Sequence, residues 1–155
     1  SSNTVDMTYS VGGGPQFLAE LNGDIYIART FYDQNWNPSY GTSMISNGEV
    51  SEVVHQFSAG SACGGSIMTL DNKVYRSFDG GISPMNADLS LNSDNQIGNY
   101  DQSLVYHVEE INDNIWFGLT NYSDYNVVKV IDASGQEIGS YDVGINPGDF
   151  SFWQN

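Results

Sequence analysis

Leu21-Asn22-Gly23-Asp24-Ile25-Tyr26 runs as an aliphatic residue, three polar residues, an aliphatic residue and an aromatic. The pattern returns as Leu70-Asp71-Asn72-Lys73-Val74-Tyr75 and as Ile111-Asn112-Asp113-Asn114-Ile115-Trp116. Asn, Asp and Gly tolerate the left-handed backbone that a tight hairpin needs, while the flanking apolar residues face a core. Each stretch therefore predicts a hairpin with a polar three-residue turn. Starts at positions 21, 70 and 111 set a repeat of about 40–50 residues.

A second hairpin follows in two of the units. Met44-Ile45-Ser46-Asn47-Gly48-Glu49-Val50 leads to Val53-Val54-His55-Gln56-Phe57, and residues 130–138 lead to Tyr141-Asp142-Val143. In the middle unit, residues 89–100 occupy the same place with a weaker alternation. Apolar residues alternate in short runs and helical periodicity is almost absent, so the chain reads as all-β. Four antiparallel strands at this period are the signature of β-propeller blades. Three units are expected, at about 15–60, 61–102 and 103–146, with an outer strand at 4–11 and an inner strand at 149–154 as overhangs. The ends carry this expectation: Tyr9-Ser10-Val11-Gly12-Gly13-Gly14-Pro15 recurs as Tyr141-Asp142-Val143-Gly144-Ile145-Asn146-Pro147, with Tyr, Val, Gly and Pro in register. Phe57-Ser58-Ala59-Gly60 marks a similar junction. Closed propellers take roughly four to eight blades, so three predict completion by a second copy of the chain or by further blades. A β-sandwich is the alternative.

The 155 residues, 39% of them hydrophobic, suit one domain with a real core. Nineteen Asp and Glu against four Lys and Arg leave a net charge of -15. Such a surface repels phosphate backbones and anionic headgroups, which argues against nucleic acid and against electrostatic membrane docking. No run approaches the ~20 apolar residues of a membrane-spanning helix, so no membrane insertion is expected. Cys63 is the single cysteine, excluding an internal disulfide or a thiolate metal cluster, and it reads as a small buried residue at a strand start. Abundant Asn, Ser, Gly and Tyr with scarce Lys predict a secreted or cell-surface protein.

The units resemble bacterial lactonase-like and NHL-type propeller surface proteins in the inner hairpin and in the junction Val143-Gly144-Ile145-Asn146-Pro147. That resemblance implies a fold and little about activity. Val74-Tyr75-Arg76-Ser77-Phe78-Asp79-Gly80-Gly81-Ile82-Ser83-Pro84 is similar to the Asp box of sialidase-type propellers: Ser77, Asp79, Gly81 and Ser83 match, and Pro84 stands in place of the aromatic. Here the turn joins the second and third strands, whereas in that family it joins the third and fourth. The likeness implies a turn-stabilising Asp79 without a catalytic role. Sialidases hold their substrate carboxylate with three arginines, and this chain has two, Arg29 and Arg76.

Chemistry-bearing residues are sparse. His55 and His107 lie far apart without a ligand-spaced cluster and read as structural. Asp24, Asp71, Asp113 and Asp132 fall in turns, where turn propensity explains them. Glu109 and Glu110 are adjacent on the third inner strand, so alternation sends one toward the core or channel and makes it a cation candidate. Ca²⁺ is the candidate ion; otherwise no cofactor is expected.

Residues 30–40 form a long loop that gathers Tyr32, Asp33, Asn35, Trp36 and Tyr40, and the third unit repeats the flavour with Tyr122, Asp124 and Tyr125. Aromatic faces stack on sugar rings while amides and carboxylates bond hydroxyls. These eight residues are the expected ligand site of a noncatalytic binding scaffold for a glycan, peptide or protein partner. The alternatives are a polysaccharide-acting hydrolase or lyase, and a structural subunit whose aromatic loops pack on neighbours.

Overall fold

The three inner hairpins turn on two residues, not three. Asn22-Gly23 has φ of 54° and 89°, Asp71-Asn72 48° and 56°, and Asn112-Asp113 54° and 62°. Two successive left-handed residues make the turn whose twist matches that of the flanking strands. The third polar residue of each pattern already opens the next strand. In the computed structural model, which describes residues 4–55, 65–151 and 153, these hairpins join β1 (Pro15–Leu21) to β2 (Asp24–Tyr32), β5 (Ile67–Leu70) to β6 (Lys73–Phe78), and β8 (Val105–Ile111) to β9 (Asn114–Thr120).

The outer strands are β3 (Pro38–Ser46), β4 (Glu49–His55), β7 (Gly81–Pro84), β10 (Asn126–Ile131) and β11 (Glu137–Asp142). Each antiparallel sheet follows chain order: β1-β2-β3-β4, then β5-β6-β7, then β8-β9-β10-β11. Two sheets have the expected four strands and the middle one has three. In residues 89–100 a short 3₁₀ turn, Ser93–Asn95, replaces the expected fourth strand. Asn92, Ser93, Asp94 and Asn95 favour local turns over a ladder. Two isolated bridges survive at β7 and just past its end: Ile82 and Ile97 exchange both backbone hydrogen bonds at 2.8 and 2.9 Å, and Met85 pairs with Leu91.

Successive sheets pack in chain order. Along β6, alternation sends Val74 toward the first sheet and Tyr75 toward the third. Val74 and Ile67 thus meet Ala28, with Phe17, Ala19, Leu21 and Tyr26 packed around them. Tyr75, Met68, Leu70 and Ile82 meet Val108, Ile115, Phe117, Leu119 and Ile131. The first strands are neighbours, β1 touching β5 and β5 touching β8, so one wall of the molecule is built from the start of every sheet.

The two overhangs form no strand among the described residues. Residues 4–11 do not pair with an edge; the segment lies over the first sheet, where the Ser43 hydroxyl donates to Val11 O at 2.8 Å and Thr30 N–H donates to Gly14 O at 2.9 Å. At the other end, Phe150 packs on Trp116 of the third sheet at 6.2 Å between ring centroids. Cys63, the junction at 57–60 and part of 149–154 lie outside the described residues.

Candidate functional site

The unit-one loop is built around Asp33. Its backbone N–H donates to Asn37 O, and Trp36 N–H donates back to Asp33 O, both at 3.1 Å. Asp33 Oδ1 accepts the N–H groups of Asn35 and Asn37 at 2.7 and 2.9 Å, and Oδ2 accepts Asn37 Nδ2 at 2.8 Å. The Asn37 side chain leads these donors in holding the Asp33 carboxyl below the usual range. Closing the loop this way places its fourth residue, Trp36, in the left-handed region at φ 64°.

Two other loops share this closure. At Asp132, the left-handed residue is Gly135, φ 86°, whose N–H donates to Asp132 O at 2.9 Å. At Asn86 it is Leu89, φ 66°, whose N–H donates to Asn86 O at 2.9 Å. Glycine takes this conformation freely, whereas L side chains are strained in it by about 1–2 kcal/mol. Leu89 offsets the strain by burial, being 3% exposed. Trp36 does not, for it is 79% exposed. Its ring meets that of Tyr32 at 6.0 Å between centroids.

Among the expected ligand residues, Tyr32, Asp33, Asn35 and Trp36 share this exposed loop. Tyr122, Asp124 and Tyr125 lie exposed on the β9–β10 loop of the third sheet. There Asn121 Nδ2 donates to Asp124 at 2.8 Å and holds that carboxyl down, and Tyr122 meets Tyr106 edge-on at 6.0 Å. The two sets therefore belong to different sheets. Tyr40 leaves the expected set: it is 4% exposed and sits within β3, opposite Thr30 and His55. By that point the loop has ended and alternation points the ring inward.

A groove runs along the neighbouring first strands. Leu18, Ala19 and Glu20 of β1, Ile67 to Thr69 of β5, and Glu109 and Glu110 of β8 line a cavity of about 370 Å³. Glu110 serves its own hairpin, accepting Asp113 N–H at 2.7 Å, as Glu20 accepts Gly23 N–H at 2.6 Å. Glu109 instead reaches the chain end, its Oε2 accepting Phe150 N–H at 3.3 Å. It lies two residues from His107 on the same strand face, with Oε2 3.4 Å from His107 Nε2. The fold adds Asp149, so that ligand atoms of His107, Glu109 and Asp149 lie within 4.8 Å of one another. These three also line an adjoining cleft of about 140 Å³ with Phe17, Ser66 and Ile67. The His107-x-Glu109 alternation was available in the sequence; the approach of Asp149, a distant residue, was not.

The two arginines are not positioned to grip a solvent-borne carboxylate. Arg76 is 0% exposed, and its Nη2 donates to Arg29 O at 3.2 Å while Nε and Nη1 have no partner among the described residues. Burial, then the nearby Arg29 charge, pull the Arg76 guanidinium down to about 10. Arg29 pairs with Glu52 at 3.1 Å and lies over the Phe31 ring at 5.4 Å. His55 is buried nearby, 2.9 Å from Thr42 Oγ1, and burial followed by Arg76 and Arg29 pushes its imidazole down to about 4. The Asp-box-like turn is held among the described residues through its backbone, with Gly80 N–H donating to Gln102 Oε1 at 2.6 Å and Gln96 Nε2 donating to Asp79 O at 3.0 Å.

Comparison with protein-family models and with curated proteins finds no match to this chain.

Proposed function

We propose that the chain is a noncatalytic binding module, secreted or displayed at the cell surface, that takes a neutral saccharide on the Tyr32–Trp36 loop. The observation that carries this reading is Trp36: a large, exposed aromatic at φ 64°, where an equivalent loop uses Gly135. Backbone strain that no burial repays points to a role outside folding. Asp33 is committed to its own loop by three hydrogen bonds, so the rim offers stacking faces and the Asn35 amide more than free charge. With a net charge of -15 on the chain, a neutral ligand fits better than an anionic one.

In the same reading the three sheets are propeller blades, their neighbouring first strands the inner ones, and the ring is completed by a second copy. Light scattering tests this part: a mass near twice 17.0 kDa is expected, and a monomer at all concentrations removes the self-completed ring. The ligand is tested by titrating a panel of neutral oligosaccharides calorimetrically. At least one is expected to bind, and Trp36→Gly should weaken it more than tenfold, about 1.4 kcal/mol, with the melting temperature nearly unchanged. No binding across the panel, or binding that survives the substitution, overturns the proposal.

A further inference from the structure

We propose that His107, Glu109 and Asp149 form a binding site for a divalent first-row transition ion, with Zn²⁺ the best fit. This site is independent of the aromatic loop and uses none of its residues.

The spacing carries the first step. A tetrahedral Zn²⁺ with ligands at roughly 2.0–2.2 Å separates its ligand atoms by about 3.4 Å. His107 Nε2 and Glu109 Oε2 stand at 3.4 Å. That is long for a hydrogen bond between them, yet it matches an edge of such a tetrahedron. The carboxylate of Asp149, within 4.8 Å of both, belongs to an exposed side chain that needs only a small rotation to complete a third ligand.

The imidazole is also held in place. His107 is 6% exposed, flanked by Phe17 and Phe150 with ring centroids at 5.2 and 5.5 Å. Its Nδ1 is 3.4 Å from Ser66 Oγ, and that oxygen already accepts Val108 N–H at 2.9 Å. A hydroxyl oxygen has a second lone pair for Nδ1–H, which would leave the Nε2 lone pair facing Glu109 and Asp149. Metal-binding histidines are commonly oriented by such a partner on the other ring nitrogen. A buried, oriented imidazole facing two carboxylates across a cleft of about 140 Å³ gives an ion both ligands and an entry.

Ligand chemistry selects the ion. An imidazole nitrogen with two carboxylate oxygens suits Zn²⁺ and its first-row neighbours, whereas Ca²⁺ takes six to eight oxygens and gains little from imidazole. Glu110, although it lines the same groove, is engaged by Asp113 N–H and is not a ligand.

Calorimetric titration and thermal melting of the full chain with Zn²⁺, and separately with Ca²⁺, test the site. One Zn²⁺ per chain is expected, and at about a hundredfold excess over its Kd it should raise Tm by about 5–10 °C. Asp149→Asn, at an exposed position outside any strand, should leave the fold intact by near-ultraviolet circular dichroism and weaken Zn²⁺ at least tenfold. His107→Gln should remove binding, and Glu110→Gln should leave it unchanged. Equal binding of Ca²⁺ and Zn²⁺, or equal losses from Asp149→Asn and Glu110→Gln, would mean diffuse attraction by surface acidity and overturn the site. Zn²⁺ binding unaltered by Asp149→Asn, or no binding at all, overturns it too.

Discussion

Trp36→Gly and Leu89→Gly make the same backbone change in two loops of the same closure, and should have opposite consequences. Both residues are left-handed, at φ 64° and 66°, so glycine relieves about 1–2 kcal/mol of strain in each. Glycine also loosens the unfolded chain, which offsets about 0.4–1 kcal/mol of that relief. What remains is the side chain. Trp36, 79% exposed, loses a tilted contact with Tyr32 whose full value in a buried setting would be about 0.5–1.5 kcal/mol. The sum lies within about 1 kcal/mol of zero. Leu89, 3% exposed, loses the burial and leaves the cavity that cost about 2–5 kcal/mol in buried leucine truncations. After relief, a net loss of about 2–4 kcal/mol remains, or roughly 5–10 °C in Tm for a chain of this length. Urea unfolding with a common m-value measures the contrast. If Trp36→Gly costs as much as Leu89→Gly, Trp36 is an anchor for the loop and its strain is repaid within the fold.

Three other perturbations read different parts of the molecule. Gly80→Ala should cost at least twice as much as Gly23→Ala by urea midpoint: both are left-handed, at φ +81° and +89°, but a Cβ on Gly80 runs into the Tyr100 carbonyl while Gly23 faces open space. Arg76→Met, which removes a buried cation with two nitrogens unpartnered among the described residues, should be neutral or stabilise by about 1–2 kcal/mol, whereas Arg76→Ala leaves a cavity and should destabilise by about 2–4 kcal/mol; a loss on Arg76→Met as large as on Arg76→Ala would show that the charge itself is needed. His55, at about 4 in the folded chain against roughly 6.5 when unfolded, is protonated more readily once the chain opens. Its stability contribution is full above pH 6.5 and falls through pH 4, by up to about 3 kcal/mol, so melting curves across that window should show a slope that His55→Gln flattens.

Hairpins were legible because their information is local. Asn22-Gly23, Asp71-Asn72 and Asn112-Asp113 each need two left-handed residues in succession, and few other residue types supply them. The repeat of that signal located all three sheets. Residues 89–100 mislead because Leu89, Leu91 and Ile97 look like an alternating strand, although Leu89 is buried through a left-handed loop and Leu91 and Ile97 keep only isolated bridges to Met85 and Ile82. Nearness in sequence groups Tyr40 with Trp36, but β3 begins at Pro38 and its alternation turns the ring inward. His107 and Asp149 are related only through packing of the chain end against the third sheet, which no local pattern encodes.

The loop and the groove share an energetic logic. Trp36 holds a strained backbone without the burial that repays Leu89. Along the first strands, Glu20, Glu109 and Glu110 line one cavity, and Asp71, Glu110 and Asp113 line its neighbour. In a chain of net charge -15, such crowding adds self-repulsion to the folded state. Glu20 and Glu110 recover part of it by accepting turn N–H groups. Glu109 recovers less: its Oε2 accepts Phe150 N–H at a long 3.3 Å, faces His107 at a spacing too long for a good hydrogen bond, and has a third, acidic neighbour in Asp149. Each site therefore carries a cost that folding compensates only in part, and the two proposals supply the remainder with a definite chemistry, a ring to stack on Trp36 and a cation to sit among His107, Glu109 and Asp149.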